Sequence, residues 1–235
     1  MALRPVDNES FYREVDEELR RDQLKSYWER YGKLTIAAVV LILAAIGGAI
    51  WWHNQKQVQA GKSAETLMGA FDDIGARKKP EALAKLDGLV KSGSPGYRAA
   101  ALLTKADLAI EANDMKGAVA LFGQISADDA LPQPYRDLAT VRMTALEFDT
   151  VQPQVVLDRL KPLAVAGNPW FGSAGEMVAI AYMKLNKPQQ AANLFAGIAR
   201  DKSVPETLRS RATQMAGSLG VDAVQQAGAN QEGSQ

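Results

Sequence analysis

YRAAALLTKADLAIEANDMKGAVALFGQISADDALP, residues 97–132, and WFGSAGEMVAIAYMKLNKPQQAANLFAGIARDKSVP, residues 170–205, are the two stretches that decide the fold. They align without a gap at an offset of 73 residues. The matched positions hold small, aromatic and branched apolar residues with one asparagine and one proline: Ala106 and Ala179, Asn113 and Asn186, Ala118 and Ala191, Leu121-Phe122 and Leu194-Phe195, Ile125 and Ile198, Pro132 and Pro205, with Tyr97 opposite Trp170. Because 73 is about twice 36, the match predicts a repeat of about 36 residues.

Two weaker copies of the same pattern fill the remaining space. Leu157, Leu160 and Leu163 follow Val119, Phe122 and Ile125 at an interval of 38 residues. Upstream, Ala82, Leu86 and Leu89 precede Ala118, Phe122 and Ile125 by 36 residues. The chain therefore carries about four copies of one unit.

Each unit is predicted to be a pair of α-helices. Beyond His53 the apolar residues recur at helical spacing, no strand-like alternation is present, and turn signals mark about nine helices. Prolines fit the first turns of these helices, Ser203 and Glu206 have the spacing of a capping box, and Gly93 and Gly167 fit C-terminal caps. The predicted starts are Lys79-Pro80, Ser94-Pro95, Gln133-Pro134, Gln152-Pro153, Asn168-Pro169 and Val204-Pro205.

A helix-turn-helix unit of this length resembles the tetratricopeptide repeat. In the last copy Ala179 and Tyr182 take the small and aromatic positions of helix A, and Ala191 and Phe195 those of helix B. The resemblance implies an all-α solenoid of about four helix pairs, closed by a capping helix that runs from Pro205 to Leu219. The Gly-, Gln- and Ala-rich tail, residues 220–235, is predicted to be disordered.

Upstream of the repeats lies the uncharged stretch LTIAAVVLILAAIGGAIWW, residues 34–52. As a helix its 19 residues span about 28 Å, close to the hydrocarbon core of a bilayer. The length of the run and the bulky Trp51 and Trp52, which replace a small-x-small cleavage site, favour an uncleaved anchor over a signal peptide. We therefore predict a single-pass membrane protein.

Basic residues flanking this span predict its orientation. Arg20, Arg21, Lys25, Arg30 and Lys33 precede the span, and only Lys56 and Lys62 follow it at a similar distance. The predicted organisation is a cytoplasmic amphipathic segment, 1–33, a transmembrane helix, 34–52, a periplasmic repeat domain, 53–219, and the tail. Such an arrangement belongs to the inner membrane of a double-membraned bacterium.

Two features near the membrane allow alternative interpretations. The amphipathic segment either contacts the membrane surface or a cytoplasmic partner, or is a solvated continuation of the span. Within the span, Ala44 with Gly48 and Ala45 with Ala49 have a spacing that permits close approach of another helix, but the same residues could face lipid.

The composition excludes several kinds of chemistry. The formal net charge is zero and basic residues are not clustered, which argues against nucleic-acid binding. There is no cysteine, and the one histidine, His53, lies at the membrane edge. Gly172-Ser173-Ala174-Gly175 lacks the spacing of a nucleophile elbow and is better explained by helix packing. Asp72-Asp73 and Asp128-Asp129 lack a calcium-loop spacing. We therefore predict no catalytic residue, cofactor or metal, and a protein that is not an enzyme.

Binding is the remaining class of function, and repeat arrays bind through the face that successive A helices form. A mixture of aliphatic groups, methionine and a few charges suits an extended or partly unfolded polypeptide. The alternative is that individual side chains pack against neighbouring helices. The predicted groove residues are Leu103, Asp107, Ile110, Val141, Phe148, Glu176, Ile180 and Met183, with Glu111, Ala145 and Lys184 beside them.

The N-terminal segment REVDEELRRDQLKSYWERYGK, followed by one span and degenerate repeats, resembles the YfgM-type family of inner-membrane proteins. The most specific matches are Val15-Asp16-Glu17-Glu18, Asp22-Gln23-Leu24, Trp28 and Tyr31-Gly32. The resemblance implies an ancillary subunit of the SecYEG translocon that assists newly exported polypeptides together with periplasmic chaperones. A structural assembly subunit or scaffold of another inner-membrane complex is the alternative.

Overall fold

Helices occupy most of the chain in the computed structural model, which describes the backbone of residues 8–221. Side chains are described for Lys25, 28–91 and 93–221. Most side chains of the predicted amphipathic segment, 1–33, and nearly all of the predicted tail lie outside these residues. Both stay predictions.

The described residues contain nine α-helices and no strand. The predicted all-α class is therefore confirmed. Short connectors join them, except for the long connector between α6 and α7. The prolines predicted to start helices lie at or next to the first turn of α2, α3, α5, α6 and α9. The helices are α1 (Asn8–Gly75), α2 (Lys79–Ser92), α3 (Pro95–Glu111), α4 (Met115–Ala127), α5 (Gln133–Glu147), α6 (Pro153–Leu160), α7 (Phe171–Lys184), α8 (Pro188–Arg200) and α9 (Glu206–Ser218).

Within α1, the segment Trp28–Gly75 is the described helix that is long and apolar enough to cross a membrane. No residue of its most apolar window is buried. Leu41 is 71% exposed and Trp51 is 65% exposed. An apolar surface of this length without protein around it is what a bilayer would cover.

The chain divides into two compact units, Met1–Gln59 and Ala60–Gln235. Residues 60–75 of α1 belong to the second unit and form the A helix of the first repeat. The other A helices are α3, α5 and α7, the B helices are α2, α4, α6 and α8, and α9 closes the array. Four helix pairs and a capping helix are thus present in the described residues, as the sequence predicted.

Packing between neighbouring helices supplies the core of the repeat domain. Its four hydrophobic clusters follow one another along the array. Phe122 and Phe195 are fully buried, as are the small residues Ala118 and Ala191 that precede them by four. A small residue at this position lets two helices approach closely, and the aromatic ring one turn later fills the space beside it. The pattern that matched in sequence is therefore the pattern of burial.

The third repeat keeps this core with different residues. Leu157 and Leu160 are buried in α6, and Leu163 is buried just beyond the end of that helix. Thr144 lies in α5, 35 residues before the small residue Ala179, and is fully buried. Its hydroxyl donates to the carbonyl of Thr140 at 2.8 Å, so the buried polar group is satisfied.

Three of the four connectors within a helix pair share one turn. Each has three residues, and the middle one has a left-handed backbone: Arg77 (φ 61°), Asn113 (φ 61°) and Asn186 (φ 56°). The N–H of the next residue donates to a carbonyl five positions back, as from Asp114 to Ala109 at 2.8 Å and from Lys187 to Tyr182 at 2.9 Å. The α5–α6 connector has five residues and no positive φ.

Some predicted helix ends are wrong. The Ser203 hydroxyl donates to Asp201 Oδ1 at 2.6 Å instead of capping α9, whose N-cap is Pro205. This hydrogen bond and a second one from the Ser203 N–H lower the pKa of the Asp201 carboxyl. α7 begins at Phe171, two residues after the predicted Asn168-Pro169 start, and Asn168 accepts a hydrogen bond from the Trp170 N–H before the helix.

The two predicted glycine caps differ from each other. Gly93 is the C-cap of α2, although its backbone is extended and not left-handed. Gly167 is left-handed, with φ 86°, but lies in the long connector well beyond the end of α6 at Leu160. Its conformational freedom therefore serves a turn within that connector and not a helix end.

Gly172 and Gly175 are buried in α7 where neighbouring helices come closest. A Cβ at Gly172 would lie 2.8 Å from Val204 Cγ1 and 3.0 Å from Leu208 Cδ1. One at Gly175 would lie 2.9 Å from Ile198 Cδ1. These glycines serve helix packing, as predicted for the segment 172–175.

Replacing Gly172 with leucine should destabilise the repeat domain by about 1–3 kcal/mol, because the side chain has no space beside Val204 and Leu208. The measurement is urea unfolding of the full-length protein in mild detergent. Gly88→Ala is the matched control. A Cβ at Gly88 meets no atom within 4 Å, and alanine should stabilise α2 by about 0.5–1 kcal/mol. Equal midpoints for the parent and Gly172→Leu would contradict tight packing at this position.

Candidate protein-binding face

Successive odd-numbered helices form the A face, which we define by residues 60–75 of α1 together with α3, α5, α7 and α9. The predicted groove residues lie on α3, α5 and α7 or at their ends. They fall into three groups in the structure: partly buried apolar residues, one buried apolar residue, and charged residues engaged in ion pairs.

Most of the predicted apolar groove residues are half-buried. Leu103 and Ile110 pack against the α3–α4 cluster, and Ile180 and Met183 pack against the cluster around Phe195. Each of these four side chains keeps some exposed surface. They can contribute to a shallow apolar surface, but a large part of each is already committed to the core.

Val141 and Phe148 in the third repeat have different environments. Val141 is only 6% exposed and belongs to a core cluster with Val156 and Leu160. Its placement on the surface of the groove was therefore wrong. Phe148 is half-buried against the same cluster at the end of α5. The spacing of this repeat to the second repeat is 38 residues and not 36, which shifts the register of its side chains from that of a regular array.

The charged groove residues form ion pairs with residues of the neighbouring repeat or of the capping helix. Arg142 Nη2 lies 2.6 Å from Asp107 Oδ1, Lys184 Nζ lies 3.7 Å from Asp149 Oδ1, and Arg211 Nη2 lies 2.6 Å from Glu176 Oε2. The two residues of each pair are 35 positions apart. Asp107–Arg142 therefore joins α3 to α5 and Glu176–Arg211 joins α7 to α9. Asp149 lies in the connector that follows α5, so its ion pair joins this connector to α7.

Additional contacts hold the cations of these pairs in place. The Arg142 guanidinium lies 4.9 Å from the ring centroid of Phe122, and Lys184 Nζ lies 4.6 Å from that of Phe148. Arg211 binds Glu176 with two hydrogen bonds, of 2.9 and 2.6 Å. Hydrogen bonding and attraction to this carboxylate raise the pKa of Arg211. These ion pairs link neighbouring repeats and remain partly exposed to solvent.

The first A helix differs from the others. Phe71 lies 36 residues before Asp107, at the position where the next junction has its ion pair. Phe71 is 43% exposed, and Met68, one turn earlier, is 59% exposed. Sequence reasoning missed these two residues, although the 36-residue offset aligns a phenylalanine with an aspartate and could have identified them.

Three of the four aspartates considered for metal binding form ion pairs, and Asp72 is in none of the ion pairs of the described residues. Asp73 lies 2.6 Å from Lys85, Asp128 lies 2.7 Å from Arg98, and Asp129 pairs with Arg136. Within the described residues no group of three or more His, Asp or Glu could hold a metal ion. The described part of the chain therefore offers a protein surface as its candidate site.

The residues considered for catalysis are also far from a catalytic arrangement. Ser173 donates a hydrogen bond to the carbonyl of Trp170, at 3.4 Å. His53 is exposed on α1 and contacts Gln57 at 3.2 Å. Ser173 and His53 lie in different compact units, and neither has the base or orienting partner of a nucleophile in the interactions described.

A profile of the family described as "Tetratricopeptide repeat-like domain" matches residues 25–215. The chain belongs to this tetratricopeptide repeat-like family. The match extends from the segment before the apolar span to α9. It includes all four helix pairs.

A curated relative, the "Ancillary SecYEG translocon subunit" of Haemophilus influenzae, is 29% identical to this chain over 153 residues. The alignment covers 62% of this chain and 71% of the relative. No solved structure matches the chain. Together with the family match, this relative confirms the resemblance inferred from the sequence.

A double-mutant cycle on Asp107→Asn and Arg142→Gln should give a coupling of about 0.2–1 kcal/mol. The value is small because the side chains are 51% and 37% exposed. The measurement is urea unfolding of the four full-length proteins, at low salt and in about 1 M NaCl, where screening should reduce the coupling.

Arg142→Gln combined with Glu206→Gln is the control cycle, because Glu206 pairs with Arg209 and not with Arg142. These two changes should be additive within about 0.5 kcal/mol. A coupling between Asp107 and Arg142 that is absent at low salt, or that grows with salt, would show that the ion pair does not join α3 to α5.

Proposed function

We propose that this protein is a membrane-anchored ancillary subunit of a SecYEG-type translocon, with a repeat domain that engages other polypeptides. The observation that carries the proposal is the continuity of α1, which contains both the apolar span and the A helix of the first repeat. One helix therefore joins a membrane anchor to a protein-interaction domain. The name of the Haemophilus influenzae relative, an ancillary SecYEG translocon subunit, supports the choice of the translocon as partner.

We further propose that the repeat domain lies in the periplasm and acts there as a chaperone-like helper. The excess of basic residues before the span supports a cytoplasmic N-terminus. Half-buried aliphatic groups and the exposed Met68 and Phe71 on the A face suit transient contact with newly exported chains. Periplasmic chaperones are proposed as further partners. The role is non-enzymatic.

Copurification of the full-length protein from solubilised bacterial inner membranes tests the translocon role. A C-terminally tagged chain in mild detergent should recover the SecYEG translocon in stoichiometric amounts. A version without residues 1–33 measures the contribution of the cytoplasmic segment. A Gly48→Leu variant measures whether the span packs on a partner helix, because no atom lies within 4 Å of a Cβ at Gly48 in the structure.

The outcomes separate the proposed roles. Recovery of a different membrane complex, in fixed amounts and without the translocon, would replace the proposal with the scaffold alternative. If Gly48→Leu recovers as much translocon as the parent protein, the span anchors the protein in the membrane but does not pack against a translocon helix. Chemical crosslinks from Ile180 or Met183 positions to newly exported chains are expected for a chaperone-like helper, and their absence during active export would contradict that part.

Single-cysteine labelling tests the orientation, because the chain contains no cysteine. Ser218→Cys is at an exposed position at the end of α9, and Ser10→Cys is near the N-terminus. In intact spheroplasts a membrane-impermeant maleimide should label Ser218→Cys, whereas Ser10→Cys should react only after lysis. The opposite pattern would place the repeat domain in the cytoplasm.

A further inference from the structure

The A helix of the first repeat carries an exposed apolar patch. Met68 and Phe71 are 59% and 43% exposed, whereas Leu67 and Ile74 of the same helix pack against the α2–α3 cluster. In the described repeat domain the other large apolar side chains with comparable exposure are Met115 and Val165, which are distant from each other in sequence. Met68 and Phe71 are one helical turn apart and form a continuous surface.

Two unpaired carboxylates border this surface. Glu65, Met68 and Asp72 are spaced at i, i+3 and i+7, which places them on one side of the helix. Glu65 and Asp72 are exposed, and no ion pair involves either of them in the described structure. The adjacent Asp73, by contrast, contacts Lys85 at 2.6 Å. Lys62 precedes Glu65 by three residues, but no described ion pair joins them.

The rest of the A face lacks this combination of groups. From α3 onward the acidic groove residues Asp107 and Glu176 are neutralised by Arg142 and Arg211. In the first repeat, apolar side chains and free negative charge lie together. A partner that covers the apolar side chains and also neutralises the carboxylates must carry apolar side chains with positive charges beside them.

We propose that the acidic apolar patch, formed by Glu65, Met68, Phe71 and Asp72, binds a polypeptide segment in which apolar side chains are flanked by Lys or Arg. Glu65 and Asp72 are about 10 Å apart along the helix axis, given the rise of about 1.5 Å per residue. The basic groups of the partner are therefore separated by a similar distance. The inference rests on the proposed protein-interaction function and specifies the partner's chemistry.

Charge also argues against two other occupants of the patch. An anionic membrane surface would repel both carboxylates. A second copy of the chain in a two-fold contact would bring the same carboxylates opposite each other, because the same surface is used on both subunits. A basic apolar polypeptide is the occupant that the electrostatics favours.

Fluorescence anisotropy on the full-length protein in zwitterionic lipid nanodiscs tests this proposal. The probe is a fluorescein-labelled peptide, Lys-Lys-Leu-Leu-Leu-Leu-Lys-Lys, and empty nanodiscs provide the blank. Peptides with Glu in place of Lys, or with Ser in place of Leu, should bind about tenfold more weakly or not at all.

Charge-reversed and apolar-depleted variants locate the binding. The double substitution Glu65→Lys, Asp72→Lys should weaken binding of the Lys peptide about tenfold and strengthen binding of the Glu peptide. Unfolding of the protein cannot produce this reversal. Met68→Ser should lower the affinity for the Lys peptide several-fold. Met115→Ser and Glu81→Lys are matched controls at exposed positions of α4 and α2, and they should leave binding unchanged.

Several results would overturn the proposal. These are equal binding of the Lys and Glu peptides, equal weakening by the control variants, and loss of a dimer in light scattering of Met68→Ser without a change in peptide affinity. The copurification experiment separates this inference from the proposed function. If peptide selectivity fails while the translocon is still recovered, only the patch assignment is wrong. If the translocon is not recovered while selectivity holds, only the translocon role is wrong.

Discussion

The fold depends on close approach between neighbouring helices at small side chains. Ala118 and Ala191 are fully buried, and the rings of Phe122 and Phe195 fill the space one turn away. Because each cluster of the described residues joins only neighbouring helices, the contacts at one junction are not backed by a core shared with the others. Stability in such an array is the sum of local contacts. The glycines of α7 follow the same constraint where α8 and α9 approach.

Contacts that recur with the helical period could be predicted from the sequence, and contacts across repeats could not. The spacing of alanine and phenylalanine predicted the buried sides of the second and fourth helix pairs, because these apolar residues recur there at the helical period. The ion pairs, such as Asp107 with Arg142, depend on the register between helices 35 residues apart. The misplacement of Val141 has the same origin, since the third repeat departs from the regular spacing.

Local competition explains the wrong helix start near Ser203. Ser203 has the residue type and spacing of a helix cap, but Asp201 lies two positions away and accepts its hydroxyl hydrogen bond. A carboxylate is the stronger acceptor, so the side chain turns away from α9. Similarly, Met68 and Phe71 are residue types common in cores, but they lie on the surface of the described structure.

The five-residue connector between α5 and α6 shows where the array tolerates a change in length. Three connectors are held at three residues by a left-handed position, and this one accommodates two more without loss of burial at Leu157 and Leu160. One residue added inside a helix rotates all later side chains by about 100° and misplaces the buried stripe. Insertions and deletions during evolution should therefore accumulate in this connector and be removed by selection from the helices.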